Sequence, residues 1–483
     1  MLPRRSHLFL FLLLGCTLLS TAACREEQNK PENSSVETLG CRSCHDVKID
    51  QNHQFACTDC HRGSEGEKSA EASHQGLVSQ PAHPDNAESF CGPCHEQEVT
   101  MVSKNSHYTL RQHINLVKNS FSGSADDLSI DDIFSSSTPD SELQLVDDLL
   151  RRRCLRCHVY GEGDDFPMTK RASGCGACHL DYYGGQLDSH QFLKKPSDSR
   201  CLACHYGNHV GFDYYGRFEH DLNEEYRTPY TTREDFFRPY GVEYHQLEAD
   251  VHQKIGMICI DCHDQNQVMS TGSSGTTCKS CHDPELLKIN NNQTITVTNN
   301  NYLFTSKATG RALPLPIMVH PAHQKYNSQV SCQGCHALWA FDDDQTHLVR
   351  IDHDDFDELE KLTLDGSSEV SAILSSHMDF DAEWLDPVMT DKFTGDVLPG
   401  IWLKGFKQRR WENIRLEPDS EGILQVTRPL LDLYISWIDE EEIVKFDNIT
   451  VLPGISKNLT YTPHTIGRAG PFYEKRFNGL LKQ

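Results

Sequence analysis

Nine times between residues 41 and 336 the chain repeats the pattern Cys-x-x-Cys-His. The first cysteines are Cys41, Cys57, Cys91, Cys154, Cys175, Cys201, Cys259, Cys278 and Cys332. The second are Cys44, Cys60, Cys94, Cys157, Cys178, Cys204, Cys262, Cys281 and Cys335, followed at once by His45, His61, His95, His158, His179, His205, His263, His282 and His336. With 20 cysteines and 26 histidines in 483 residues, chance would supply about 0.04 copies. Cys16 and Cys24 alone stand outside the pattern. A chain so punctuated must satisfy nine identical local chemistries before it can satisfy anything else.

Four chemistries compete for such a unit. A disulfide framework gives no reason for a histidine after every second cysteine. A structural zinc site needs four ligands, so it would pair Cys-x-x-Cys units or add His-x-x-x-His spacings. A dithiol redox site needs one unit beside a β-α-β pattern. Covalent haem accounts for every feature. Two thiols two residues apart on one tight turn reach the two vinyl groups, and the adjacent histidine is delivered to the iron. On these nine units the segment from about 41 to 336 resembles the multihaem c-type cytochromes. "GNHVGFDYYGRFEHDLNEEYRTPY" and "RPYGVEYHQLEADVHQKIGMICIDCHD" are similar, more loosely, to segments of large multihaem cytochromes of anaerobically respiring bacteria.

The resemblance implies nine haem c groups and a mainly α and irregular multihaem cytochrome fold. Short helices and loops would wrap closely packed haems, with some β structure towards the C-terminus. Composition agrees. Only 37% of residues are hydrophobic, and residues 41–336 offer about 33 residues per unit, too few for an ordinary aliphatic core. The porphyrins would supply much of the apolar interior, so cofactor binding energy becomes folding energy.

The formal net charge of −25 argues against nucleic acid or an anionic membrane face as partner. Solubility of an exported protein explains the charge; cationic partners, metal ions or a mineral surface are compatible with it.

Export is legible at the start, "MLPRRSHLFLFLLLGCTLLSTAAC". Arg4 and Arg5 make a basic n-region, and Leu8 to Leu19 is an apolar stretch suited to a signal peptide rather than a span. "TAAC" ending at Cys24 reads as a lipoprotein signal with residues 1–23 removed, although Thr21 stands where leucine is usual. "LLGC" ending at Cys16 and simple cleavage after Ala23 are the rivals. Residues 24–38 would tether a periplasmic or cell-surface protein anchored through Cys24. Residues 39–339 then form the cytochrome domain, and 340–483, without cysteine, a haem-free segment packed on it. Residues 117–141 read as a surface loop. "SELQLVDDLLRRRC" reads as a helix capped by Ser141, with Leu143, Val146, Leu149 and Leu150 on one face, leading into Cys154. "QTITVTNNNYLFTS" alternates like a hairpin.

Nine irons require sixth ligands. Methionine is scarce, eight against 26 histidines, so bis-histidine ligation is the expectation. The candidate distal ligands are His53, His83, His107, His113, His190, His209, His252, His320, His323 and His464. His74, His220, His245, His347, His353 and His377 rank behind them. Three functions follow from the resemblance. The first is an electron carrier of anaerobic or extracellular respiration, with other cytochromes or redox proteins, or an extracellular metal oxide, as partners. The second is a reductase or oxidase of small nitrogen or sulfur oxyanions with one open haem. The third is a subunit of a polymeric wire. All nine units end in histidine, which departs from the lysine-ended unit of nitrite reductases. No residue is assigned a catalytic role.

Overall fold

The computed structural model describes residues 40–481 apart from 134, 165–166, 168, 206–214, 220–241, 247–248, 272–274, 290–293, 299–300, 341–342, 357–366 and 410–413. The proposed signal and tether, with Cys16 and Cys24, lie outside the described residues, as does His209. No helix among the described residues is long and apolar enough to cross a membrane.

The units are single helical turns, as in Cys57–His61, Gly176–His179, Cys259–Cys262, Cys278–His282 and Cys332–His336. A helical turn places positions i, i+3 and i+4 on one face, so both thiols and the imidazole look the same way. The backbone N–H of the histidine closes the turn on the first cysteine's carbonyl, at 3.0 Å for His45, 2.9 Å for His95, 3.1 Å for His179, and 2.9 Å for His205 and His263. The Cys154 unit departs from this. It shares a 3-10 turn (Cys154–Cys157) with the Cys41 unit (Cys41–Ser43), but the His158 N–H bonds to Leu155 at 3.1 Å and His158 is extended at ψ 159°.

β structure is more widespread than the sequence suggested. Small antiparallel pairings occur at Tyr182–Tyr183 with Gln186–Leu187, at Tyr215–Glu219 with Val242–Gln246, and in the Ile295–Thr298, Asn301–Thr305 and Ala312–Pro314 sheet. The C-terminal segment is mostly strand. Asp343–Ile351 pairs antiparallel with Ile401–Arg409 and parallel with Leu433–Ile438, which pairs antiparallel with Val444–Thr450. A second sheet joins Arg415–Pro418, Leu424–Pro429 and Asn458–Thr460.

Two helices cover the larger sheet. Arg111–Ser122 extends into the stretch read as a surface loop, because Ile114, Val117 and Phe121 recur at helical spacing and all are buried; the described residues between 123 and 141 are loop and a short 3-10 turn. Glu142–Arg152 forms as expected, with the Ser141 hydroxyl accepting from the Gln144 N–H. Its buried stripe includes Leu145 (0% exposed), whereas Leu143, expected inside, is 38% exposed. Leu145, Val146, Leu149 and Leu150 meet Leu348, Ile401, Trp402, Ile435 and Trp437 in one core. The segment beyond residue 340 therefore shares its interior with helices from the middle of the Cys-x-x-Cys-His region.

Charge is buried in that core under tight pairing. Asp148 accepts from Arg152 Nε at 2.8 Å and from the Trp402 indole at 2.7 Å, with Arg350 3.6 Å away. Arg152 also donates to the carbonyls of Pro399 (2.7 Å) and Gly400 (2.9 Å), and Arg151 pairs with Asp391. Removing one partner of a buried pair strands the other charge. Asp148→Ala should therefore cost about 3–5 kcal/mol in urea denaturation. Leu143→Ala, on the exposed side of the same helix, should stay within about 0.5 kcal/mol.

Candidate cofactor-binding cavity

The motif region contributes few apolar side chains to any core: between residues 40 and 110 only Ala87 and Tyr108 are buried hydrophobics. Its interior is instead one continuous cavity of about 4940 Å³. A single small-molecule pocket spans ~300–1,000 Å³, so this is space for many groups. Cysteines and the histidine of all nine units line it.

Seven of the nine unit histidines face a second imidazole across the cavity. The ring centroids are 6.0 Å apart for His45 and His74, 6.2 Å for His95 and His53, 6.1 Å for His61 and His190, and 6.2 Å for His205 and His107. They are 6.3 Å apart for His263 and His464, 6.0 Å for His282 and His252, and 6.0 Å for His336 and His323. Two imidazole–metal bonds of roughly 2.0 Å, plus roughly 1.1 Å from each nitrogen to its ring centre, give about 6.2 Å. The partners come from remote segments: His53 precedes the second unit yet faces the third, and His464 comes from the far end of the chain.

In several of these rings, and in His179, the other nitrogen is tied down. Nδ1 of His61, His179, His282 and His336 meets the carbonyls of Val78 (2.9 Å), Leu193 (2.6 Å), Pro316 (2.7 Å) and Gly467 (2.9 Å), and that of His263 meets Gln267 Oε1 at 3.0 Å. Opposite them, Nδ1 of His53, His107 and His252 meets Asp50 (2.7 Å), Asn105 (2.8 Å) and Asp250 (2.8 Å). Such contacts fix the tautomer and leave Nε2 as the coordinating lone pair. Asn105 and Asp250 are also N-caps, accepting from the backbone N–H of His107 and His252. A short polar residue two places before a histidine thus starts a helical turn and aims the ring at once. That signal was present in the sequence and was missed.

These acidic and amide groups also join segments. Asn105 donates to the carbonyls of Gln267 and Ser270, Asp50 accepts from the Phe192 N–H, and Asp250 from the Ile466 N–H. Gly174 permits a close approach beside Cys175, since a Cβ there would lie 1.7 Å from the Ala82 carbonyl. Burial holds His107, His113, His190, His282 and His323 below the ordinary histidine range. It pushes His464 down to about 4 and His158 to about 3. Neutral imidazoles are what metal coordination requires.

Of the expected distal residues, His53, His107, His190, His252, His323 and His464 stand in such pairs. His113 lines the cavity with a buried Nε2 that has no hydrogen-bond partner. His83 is not among the lining residues; its ring packs 5.5 Å from Tyr160. His320 lines the cavity but faces no unit histidine. In both, Nδ1 accepts a backbone N–H, from Asp85 and Ala322, the reverse of the paired rings. His74, ranked low, is paired; nothing in "KSAEASHQG" distinguishes it. His347 and His377 belong elsewhere, stacked on Tyr434 and Trp384.

The thiols of different units approach one another. Cys91 hydrogen-bonds Cys175, Cys157 hydrogen-bonds Cys204, Cys201 hydrogen-bonds Cys259, and Cys278 hydrogen-bonds Cys332. The donated bond pulls Cys175 and Cys332 down to about 6 and Cys204 to about 7. None of the described cysteines is in a disulfide. Among the described residues, one group of three metal-ligating side chains converges within 4.8 Å: Cys41, Cys57 and Glu65. That is one ligand short of a structural zinc site. Compared with known proteins, the chain matches no family model, no curated protein and no solved structure.

The depressed histidines set a pH dependence. The unfolded chain protonates these imidazoles near pH 6.5, while folded His464 resists to about pH 4. Between those values the unfolded state binds more protons, so stability falls as pH falls. The urea midpoint should drop from pH 7 towards pH 4, and His464→Asn should make that slope shallower.

Proposed function

We propose that the chain is a nine-haem c-type cytochrome that conducts electrons. The observation that carries the reading is the pairing of seven unit histidines with a second imidazole at 6.0–6.3 Å inside one cavity. Each unit's two thiols would hold a haem through thioether bonds, and the paired imidazoles would supply both axial ligands. Haem provides a one-electron couple that needs no change of coordination. The residues of this chain set its surroundings: carbonyl, carboxylate and amide groups on Nδ1 make the ligating nitrogens more basic. Bis-histidine ligation keeps the potentials low compared with His/Met ligation.

Contacts between the units' sulfurs give an order. The first unit meets the second at Cys41 and Cys57. Cys60 acts electrostatically on Cys91, Cys91 hydrogen-bonds Cys175, Cys201 acts on Cys178 and hydrogen-bonds Cys259, Cys281 acts on Cys262, and Cys278 hydrogen-bonds Cys332. This gives a line of units one, two, three, five, six, seven, eight and nine. The fourth, at Cys154, joins sideways at the sixth through Cys157 and Cys204. A line with two ends suits transfer between a donor and an acceptor, such as other redox proteins or an extracellular metal oxide. The −25 charge favours cationic docking patches or metal ions. We place the protein outside the cytoplasm, tethered by a lipid on Cys24.

Intact mass and pyridine haemochrome of the purified protein should both give nine haems per chain. His252→Ala should keep all nine haems and convert one low-spin ferric signal to high-spin by EPR. A mass without haem, or zinc in its place, would overturn the reading.

A further inference from the structure

The groups that hold Nδ1 differ in charge from pair to pair. They are neutral carbonyls at His61, His282 and His336, and neutral amides at His107 and His263. At His53 and His252 they are carboxylates, Asp50 at 2.7 Å and Asp250 at 2.8 Å. These two sit differently. The Asp50 side chain is 18% exposed, and its ring faces His95, whose Nδ1 has Glu98 4.0 Å away at the surface. The Asp250 side chain is 8% exposed, and its ring faces His282, whose Nδ1 meets the Pro316 carbonyl at 2.7 Å. The Cys278 unit thus joins a buried carboxylate behind one imidazole to a carbonyl behind the other.

Backbone N–H groups hold Asp250 in place. One oxygen accepts the His252 N–H at 2.8 Å as well as Nδ1, and the other accepts the Ile466 N–H at 2.7 Å. The Val251 N–H returns to the Ile466 carbonyl at 2.9 Å. Among the described residues no lysine or arginine pairs with Asp250. Its charge also reaches the preceding unit, acting on Cys262 and on His464. Asp261 is buried too, but it bonds the Ser306 hydroxyl and the Lys307 N–H rather than an imidazole. The Lys307 ammonium acts on the thiols Cys262 and Cys281.

Resting on the reading of the units as haem sites, we propose that Asp250 holds the haem of the Cys278 unit at the lowest potential in the line. Two effects act with the same sign. A carboxylate drawing on the Nδ1 proton makes Nε2 a stronger donor, which favours ferric iron. A buried negative charge without a cation also opposes the arrival of an electron. The sulfurs place this unit between those of Cys259 and Cys332. An electron passing between the ninth unit and the first seven therefore climbs a step that Asp250 sets. Asp250 is a positioning residue, acting through His252.

The test uses the full-length protein shown by mass to carry nine haems; fewer haems would fail the underlying reading, not this inference. The low-spin ferric EPR signal lost in His252→Ala marks the Cys278 unit. In a potentiometric titration of the unaltered protein, that signal should be the last to disappear on reduction. In Asp250→Asn it should disappear at a potential at least about 59 mV higher, a tenfold change for a one-electron couple. It should stay low-spin, because Asn105 caps and aims His107 in the same way. Asp250→Glu, which keeps the charge, should remain within about threefold of the unaltered protein. The proposal is overturned if another signal outlasts the marked one, if Asp250→Asn leaves its potential in place, or if Asp250→Glu moves it as far as Asp250→Asn. A new high-spin haem in Asp250→Asn would equally overturn it, by showing that the carboxylate only aims the ring.

Discussion

Two neutral imidazoles brought from remote parts of a chain and held about 6 Å apart need something between them. Their lone pairs gain nothing from facing each other, and each buried nitrogen without a partner is costly. Seven such pairs therefore constrain the molecule more than any hydrophobic contact in the motif region does. If each pair closes on a haem iron, every iron ties two segments together. His53, His107 and His190 then act as cross-links for a region that otherwise buries little of its own apolar surface.

The C-terminal segment has a role beyond covering. Its sheets share a core with the Glu142–Arg152 helix and lock it through Asp148, Arg152 and Trp402. It fixes His158 through the Lys392 carbonyl, orients His336 through Gly467 and supplies His464 to the seventh unit. The Ile466 N–H on Asp250 couples that supply to the orientation of His252. A segment without a single Cys-x-x-Cys-His unit thus sets the surroundings of four of them.

Much of this was legible in the residues, and the reason lies in range. A Cys-x-x-Cys-His turn is local, so its nine copies could be read directly. So could the Ser141 cap and the hairpin near residue 300. Pairing is non-local. His464 was picked out for its isolation, yet nothing in the sequence says which unit it meets, and His74 sits in a polar stretch without any cue. His83 and His320 looked equal to His252 because all three start helical turns. What separates them is whether Nδ1 donates to an Asx side chain or accepts a backbone N–H. The departure of His158 was hidden, since its unit keeps the same Cys-x-x-Cys-His pattern as the other eight, while the Tyr160 N–H and the distant Lys392 and Phe393 hold its ring.

The most direct test is a structure of the holoprotein with an anomalous map at the iron edge. The reading expects nine irons, seven of them between the named imidazole pairs. Eight should run in a line, with the ninth beside Cys157 branching at the Cys204 unit. Irons absent from the histidine pairs, or metal held tetrahedrally by the cysteine sulfurs, would contradict it.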